Sequence, residues 1–175
     1  MPFAVGGLCQ NAYVVDNIET AVTYWTQVIG VGPFFRFPRM SIVSGTLHGA
    51  PNIPRFGAAI AYSGELTIEL VQPDGPSIFQ DFADQGGTGV HHNCLFTDDF
   101  SSETHRLVQA GGSIIQSMEM SDGSLLAYIQ MDGPTPIIIE VAQLSSPARG
   151  LFDKLHRAAQ DWDRVTPYFL LSKLT

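Results

Sequence analysis

The sequence predicts an α+β fold of two similar halves, each a strand, a helix and a meander of about three strands, with a further helix at the C-terminal end. Three observations carry this expectation. The chain repeats weakly at an offset of 82 residues, an apolar stripe of helical period follows the first strand of each copy, and paired β-like runs flank turn residues. The repeat sets Gln10-Asn-Ala-Tyr-Val-Val-Asp16 against His92-Asn-Cys-Leu-Phe-Thr-Asp98. Its identities are Asn11/Asn93, Asp16/Asp98, Gln27/Gln109 and Gly30/Gly112.

In the first half an apolar strand ends at Asp16 or Asn17, either of which can cap a helix. Ile18, Ala21, Val22, Trp25, Val28 and Ile29 then mark one helical face, and Gly30 stops it. Residues 57–62 and 66–72 flank Ser63-Gly64 and read as a hairpin. The stretch from Asp74-Gly75-Pro76 to Gly86-Gly87 reads as a connector. Gly86-Gly-Thr-Gly89 is linker rather than a phosphate loop, because a strand and not a helix follows it. In the second half Asp98 or Asp99 opens a helix with Phe100, Leu107 and Val108 on its apolar face, stopped by Gly111-Gly112. Residues 124–131 and 137–143 flank Asp132-Gly133-Pro134. Beyond the repeat, Leu151, Phe152, Leu155, Ala158, Ala159 and Trp162 recur at helical spacing, and Pro167 interrupts before Tyr168-Phe169-Leu170-Leu171. Residues 149–175 are therefore expected to form an accessory helix and tail, packed on the body or on a second subunit.

Composition narrows the function. With 175 residues, 45% hydrophobic and 15% charged, the chain is one domain's worth of foldable sequence and not a disordered one. Residues 1–148 hold no lysine and only Arg36, Arg39, Arg55 and Arg106 against fourteen acids. Such a body lacks the basic footprint for nucleic acid or an anionic membrane. No basic leader precedes an apolar run, no run approaches the roughly 20 residues of a membrane span, and Cys9 and Cys94 form no CxxC pair. A cytoplasmic protein with two buried thiols is expected.

One polar alignment stands out. Glu69 in Leu66-Thr-Ile-Glu-Leu-Val-Gln72 and Glu140 in Ile137-Ile-Ile-Glu-Val-Ala-Gln143 are each the lone acid of an apolar strand. Buried carboxylates are costly unless paired or bound to a cation. Gln10 and His92 occupy equivalent places in the two entry strands, so four polar side chains can converge on one centre. A strand histidine ordinarily serves as a hydrogen-bonded structural group, and His91 is read as that or as pocket lining. For His92 the repeat favours ligation, whereas the Gln10 amide can ligate a metal or hydrogen-bond a substrate. Phe34, Phe35, Phe37, Met40, Tyr62 and Tyr128 are candidate wall residues. His48, in a polar glycine-rich stretch, is a loop residue or a second acid/base.

These residues resemble the vicinal oxygen chelate superfamily, the glyoxalase, bleomycin-resistance and extradiol-dioxygenase group. The likeness runs over residues 8–143 and rests on Gly30-Val-Gly-Pro-Phe34, Ile68-Glu-Leu-Val-Gln-Pro73, Gly89-Val-His-His92 and Ile139-Glu-Val141, strings similar to the glyoxalase-like and methylmalonyl-CoA-epimerase-like branch. It implies two βαβββ modules, about 5–73 and 88–144, forming a cupped mixed sheet within a domain of residues 1–148, and a homodimeric assembly. It also implies that Gln10, Glu69, His92 and Glu140 hold a divalent metal: Zn, Mn, Fe, Co, Ni or Mg. Their order resembles animal-type glyoxalase I, but Val14 and Thr88 stand where glutathione-binding arginines belong, and the lysine-free body disfavours coenzyme A esters. The leading expectation is a metal-dependent lyase, isomerase or epimerase acting on a small apolar or aromatic carbonyl or phenolic compound, with Glu140 as proton-transfer base and Glu69 chiefly a structural ligand. The alternatives are a metal-free sequestration protein and a ring-cleaving dioxygenase. The dioxygenase expects two histidines and one carboxylate, and Gln10 replaces one of those histidines.

Overall fold

A computed structural model describes residues 6–169. In chain order the elements are β1 (Leu8–Val14), α1 (Ile18–Tyr24), β2 (Phe34–Phe37), β3 (Ile42–Leu47), β4 (Ala50–Pro51), β5 (Phe56–Ser63), β6 (Leu66–Pro73), α2 (Ile78–Asp84), β7 (Val90–Phe96), α3 (Phe100–Gln109), β8 (Ser113–Met120), β9 (Leu125–Met131), β10 (Ile137–Gln143), α4 (Ser146–Gln160) and β11 (Tyr168–Phe169). The expected α+β architecture, a large mixed sheet with a C-terminal helix, is present. Leu170 and Leu171 of the expected tail lie outside the described residues.

All the strands join one sheet, in the order β11-β2-β5-β6-β1-β7-β10-β9-β8-β3-β4. The order β2-β5-β6-β1 is mirrored by β8-β9-β10-β7 across an antiparallel seam between β1 and β7. Asn11 faces Asn93 at that seam and accepts a hydrogen bond from its side chain at 2.6 Å. The repeat thus appears as a near-twofold relation. Gln72 and Gln143 repeat it, each accepting the first backbone N–H of its half's helix, from Ile18 at 3.0 Å and Phe100 at 2.8 Å. Asn17 and Asp99 cap α1 and α3 through their side chains.

Strand alternation sends odd and even residues to opposite faces. One face carries α1 and α3: Ile68, Leu70, Ala59 and Phe34 pack beneath Ile18 and Val22, while Leu95, Ile139 and Val141 pack beneath Leu107. The other carries α2 and α4. Val71, Met118 and Tyr128 meet Ile78 and Phe79 of α2, and Phe35, Tyr62, Phe96 and Ala142 meet Leu155 of α4. Only residues 38–41 join β2, near one end of the sheet order, to β3, near the other. That link spans at most about 17 Å, so the sheet must curl until its ends approach. Met40 N–H to Phe56 O (3.2 Å) and Ser121 N–H to Ser41 O (2.8 Å) fix the crossing.

Four local differences from expectation have simple causes. The connector 74–87 contains α2, capped by Ser77 and held by buried Ile78 and Phe79; seven residues are too few to show a helical period. The polar stretch around His48 is the β3–β4 hairpin, which pairs with β8 of the other half through Ile42–Leu47. The first helix ends in a π-helical turn at Trp25–Ile29 before Gly30 adopts φ +78°. Finally, α4 starts at Ser146 rather than 149, because Ser145 caps it and Pro147 occupies its first turn.

Candidate metal centre

Gln10, Glu69, His92 and Glu140 lie on the four central strands β1, β6, β7 and β10, all on the face covered by α2 and α4. β1 pairs with β6 in parallel, and β7 with β10 likewise, so each half brings its entry-strand residue beside its final-strand glutamate. The antiparallel seam then turns the two pairs toward each other. One ligand atom from each of Glu69, His92 and Glu140 falls within 4.8 Å of the others. None of the four residues is more than 8% exposed.

The spacing fits a cation. His92 Nε2 sits 3.2 Å from Glu140 Oε2 and 3.5 Å from Glu69 Oε2. Yet it aligns no hydrogen bond on either and is a buried, unpartnered polar atom. Two buried carboxylates and an imidazole nitrogen aimed at one point form a donor set suited to a divalent metal, which would neutralise both acids. Without it the cluster is electrostatically tense. Burial raises the Glu69 pKa, His92 opposes this, and the charge of Glu140 adds to the rise. Burial alone would lower His92, but contact with Glu140 and Glu69 outweighs it and pushes the ring up to about 9. The protonation of Glu69 and that of His92 are therefore linked.

A second layer orients these groups. A register shift between β1 and β7 skips His91, so His91 and His92 are both buried although adjacent in sequence. Their Nδ1 atoms are 2.9 Å apart, and His91 packs against Phe79 and Phe82 of α2. Burial, with the neighbouring His92 charge, lowers His91 to about 3. A neutral His91 accepts from the His92 Nδ1–H, which leaves His92 Nε2 to face the carboxylates. Tyr128 donates its hydroxyl to Glu140 Oε1 at 3.2 Å, and burial raises its own pKa, so it remains a donor. Gln10 Nε2 donates to Glu69 Oε2 at 2.9 Å, and Thr67 contacts Gln10 Oε1.

A cavity of about 350 Å³ leads from this cluster to the surface, with Gln10, Glu69 and Glu140 on its floor. Its walls are largely apolar and include Phe37, Met40, Phe96 and, from α4, Leu151 and Phe152. Phe37 and Met40 thus lie where a wall was expected. The other proposed wall residues do not line this cavity. Phe34 points the opposite way, beneath α1, because it and Phe35 alternate across the sheet. Phe35 is buried against α4 and Phe169. Tyr62 donates to Phe152 O and stacks edge-on with His156. His48 pairs with Asp81 at 3.0 Å on the hairpin and shares a separate cavity of about 610 Å³ with His91. Tyr128 reaches the centre through Glu140 rather than through the cavity wall.

Of the four arginines in residues 1–148, only Arg39 borders the cavity. Arg36 engages Glu19, Arg55 Asp74 and Arg106 Glu103, and Arg39 itself reaches Asp74 at 3.9 Å. Sequence reading missed Phe79, Thr67 and the α4 wall. Thr67 was legible, since it lies two residues before Glu69 and must share its face. Phe79 was hidden in the connector.

No curated protein matches the chain. Among solved structures, a hypothetical protein from Bacillus halodurans superposes with a TM-score of 0.58 at 16% identity, covering 80% of this chain and 95% of its own. Methylmalonyl-CoA epimerase from Mycobacterium tuberculosis gives 0.57 at 17%, covering 83% and 92%. The Streptomyces coelicolor epimerase, in complex with 2-nitronate-propionyl-CoA, gives 0.55 at 13%, covering 82% and 97%. At these identities the likeness establishes the fold alone. The model of the Glyoxalase/Bleomycin resistance protein/Dioxygenase superfamily matches residues 9–128, from the start of the entry strand past both halves' helices. With that match over most of its length and a mirrored sheet around a buried Glu/His/Glu cluster, the chain belongs to the glyoxalase/bleomycin-resistance/dioxygenase superfamily.

Proposed function

We propose that this protein is a metal-dependent lyase, isomerase or epimerase that moves a proton on a small, largely apolar carbonyl compound. The observation that carries the reading is the convergence of Glu69, His92 and Glu140 on one buried point, with both glutamates lining an apolar cavity and His92 behind them. A divalent ion held there would supply Lewis-acid polarisation of the substrate carbonyl. Glu140 takes the proton from the adjacent carbon, the C–H electron pair passes into the carbonyl system, and the carboxyl returns the proton at a neighbouring atom. Tyr128 holds one Glu140 oxygen, Oε1, while Oε2 faces His92 Nε2 and Gln10 Nε2 at the centre. Glu69 and His92 would chiefly hold the metal, with Gln10 as fourth ligand. The raised pKa of Glu69 favours the reverse division of labour, so both glutamates must be tested.

Arg39 at the cavity limits the substrate to about one negative charge. The epimerase neighbours act on coenzyme A esters, but no lysine lies in residues 1–148 to meet such a polyanion. Assembly as a homodimer and a cytoplasmic setting belong to the same proposal. Two free buried thiols agree with a reducing compartment, and among the described residues no helix is long and apolar enough to cross a membrane.

The test is elemental analysis of chelator-free protein, followed by solvent-deuterium exchange into candidate carbonyl compounds. About one divalent ion per chain and exchange lost in Glu140→Gln with metal retained are expected. Exchange lost only in Glu69→Gln reverses the roles. Metal-free wild type after every divalent ion is offered favours sequestration. That second reading draws on the Gln10–Glu69 hydrogen bond, which holds one carboxylate without a cation.

A further inference from the structure

Thr67 is fully buried on β6 and pairs in register with Gln10. Its hydroxyl oxygen lies 3.0 Å from the Cys9 carbonyl and 3.0 Å from Gln10 Oε1. Both are acceptors, and a hydroxyl has one proton. The competition has two solutions. If Thr67 donates to Gln10 Oε1, the amide NH2 is turned to the centre, where Nε2 donates to Glu69 at 2.9 Å. If Thr67 donates to Cys9 O, its lone pairs face Gln10, and the amide is satisfied the other way round, with NH2 on Thr67 and Oε1 toward the carboxylates.

The first arrangement suits a centre of negative charge, and the second suits a centre holding a cation, which repels amide hydrogens and attracts the carbonyl oxygen. Resting on the metal reading above, we propose that Thr67 is the positioning residue that makes Gln10 an oxygen ligand, by switching its proton from Gln10 to the Cys9 carbonyl when a metal enters. A side chain without a hydroxyl at position 67 cannot receive the Gln10 NH2. The amide then strands its hydrogens in a buried pocket or withholds its oxygen from the metal.

The experiment is a double-mutant cycle read as Zn²⁺ affinity by competition with a chromophoric chelator, with far-UV circular dichroism and thermal midpoints of the metal-free proteins as folding controls. Thr67→Val is expected to weaken binding about 10- to 100-fold, and Thr67→Ser to keep it within about threefold. Adding Thr67→Val to Gln10→Ala is expected to cost little more than Gln10→Ala alone, because Thr67 acts through that amide. Unchanged affinity in Thr67→Val, or losses that simply add, overturns the proposal. Should Thr67→Val fail to fold, wild-type protein still decides: in the Zn²⁺ form, nuclear Overhauser contacts from the Gln10 NH2 to the Thr67 methyl support it, and an amide still turned to Glu69 overturns it. Wild type that binds no divalent metal removes the metal reading and this one with it, whereas tight wild-type binding with a silent Thr67 removes only this one.

Discussion

Replacing Glu69 by Gln should stabilise the metal-free protein and destabilise the metal-loaded one. Without metal, the Glu69 carboxylate lies near both the His92 ring and the Glu140 carboxylate, so it takes part in one attraction and one repulsion. Glu69→Gln removes an attraction to His92 across 3.5 Å, worth about 5 kcal/mol at an effective dielectric of about 20. It also removes a repulsion from Glu140 across no more than 4.8 Å, worth at least about 3.5 kcal/mol on the same scale. These nearly cancel. What remains is the desolvation of a buried carboxylate, several kcal/mol, which the neutral amide avoids. The raised pKa of Glu69 carries the same sign: the folded state holds that proton to higher pH than the unfolded chain, so ionising it costs stability. We expect Glu69→Gln in chelator to gain about 1–3 kcal/mol, roughly 2–12 °C for a chain of this size. With metal at about 100 times Kd, wild type should gain about 2.7 kcal/mol and the variant almost none. Thermal unfolding of both proteins, with chelator and with each divalent ion, is the assay. A variant less stable than wild type in chelator would show that the His92 pairing outweighs burial, and the case that this cluster requires a cation would collapse.

Three further outcomes follow from other parts of the structure. His91 is neutral when folded, with its pKa lowered to about 3, and takes up a proton when unfolded below about pH 6.5. Its contribution is therefore present above pH 6.5 and lost as pH falls, about 1.5 kcal/mol between pH 6.5 and 5 in metal-free protein; urea unfolding of His91→Gln should show that much less acid sensitivity, and an unchanged slope refutes it. Leu155→Ala, fully buried where α4 meets Phe35, Tyr62 and Phe96, should cost about 2–5 kcal/mol in the same assay, and a loss under about 1 kcal/mol would mean that α4 is not docked as described. Tyr128→Phe should keep the metal but slow deuterium exchange about tenfold or more, since a hydrogen bond to a charged group is worth about 1.5–3 kcal/mol; an unaltered rate removes Tyr128 from the site.

What was legible in the sequence is what strand and helix periods encode. Glu69 and Glu140 stood out because an acid in an apolar strand breaks a period-two pattern, and Asn11 and Asn93 because the repeat that aligned them also brings them together at the seam. What was not legible depends on contacts between distant segments. The parity of Phe34 and Phe35 follows from alternation, but which face is the cavity face does not, so one went beneath α1 and the other against α4. The β3–β4 hairpin has exposed residues and glycine in place of an apolar stripe, and it exists because β8 offers it an edge. The burial of His91 came from a register shift, which no local pattern announces.

The placement of α2 and α4 gives the centre its chemical character. Both pack on the face that carries the acids, one from each side: Phe79 of α2 against His91, His92 and Tyr128, and Leu151 and Phe152 of α4 along the cavity. Each apolar side chain set there displaces water that would otherwise screen Glu69 and Glu140. A wetter cup would leave both carboxylates solvated and comfortable without a cation; a drier one raises the cost of their charges and hence the advantage of binding a metal. The family match ends at residue 128, before Glu140 and before α4. The second glutamate and the helix that dries its surroundings therefore lie together in the part of the chain beyond that match, on β10 and α4.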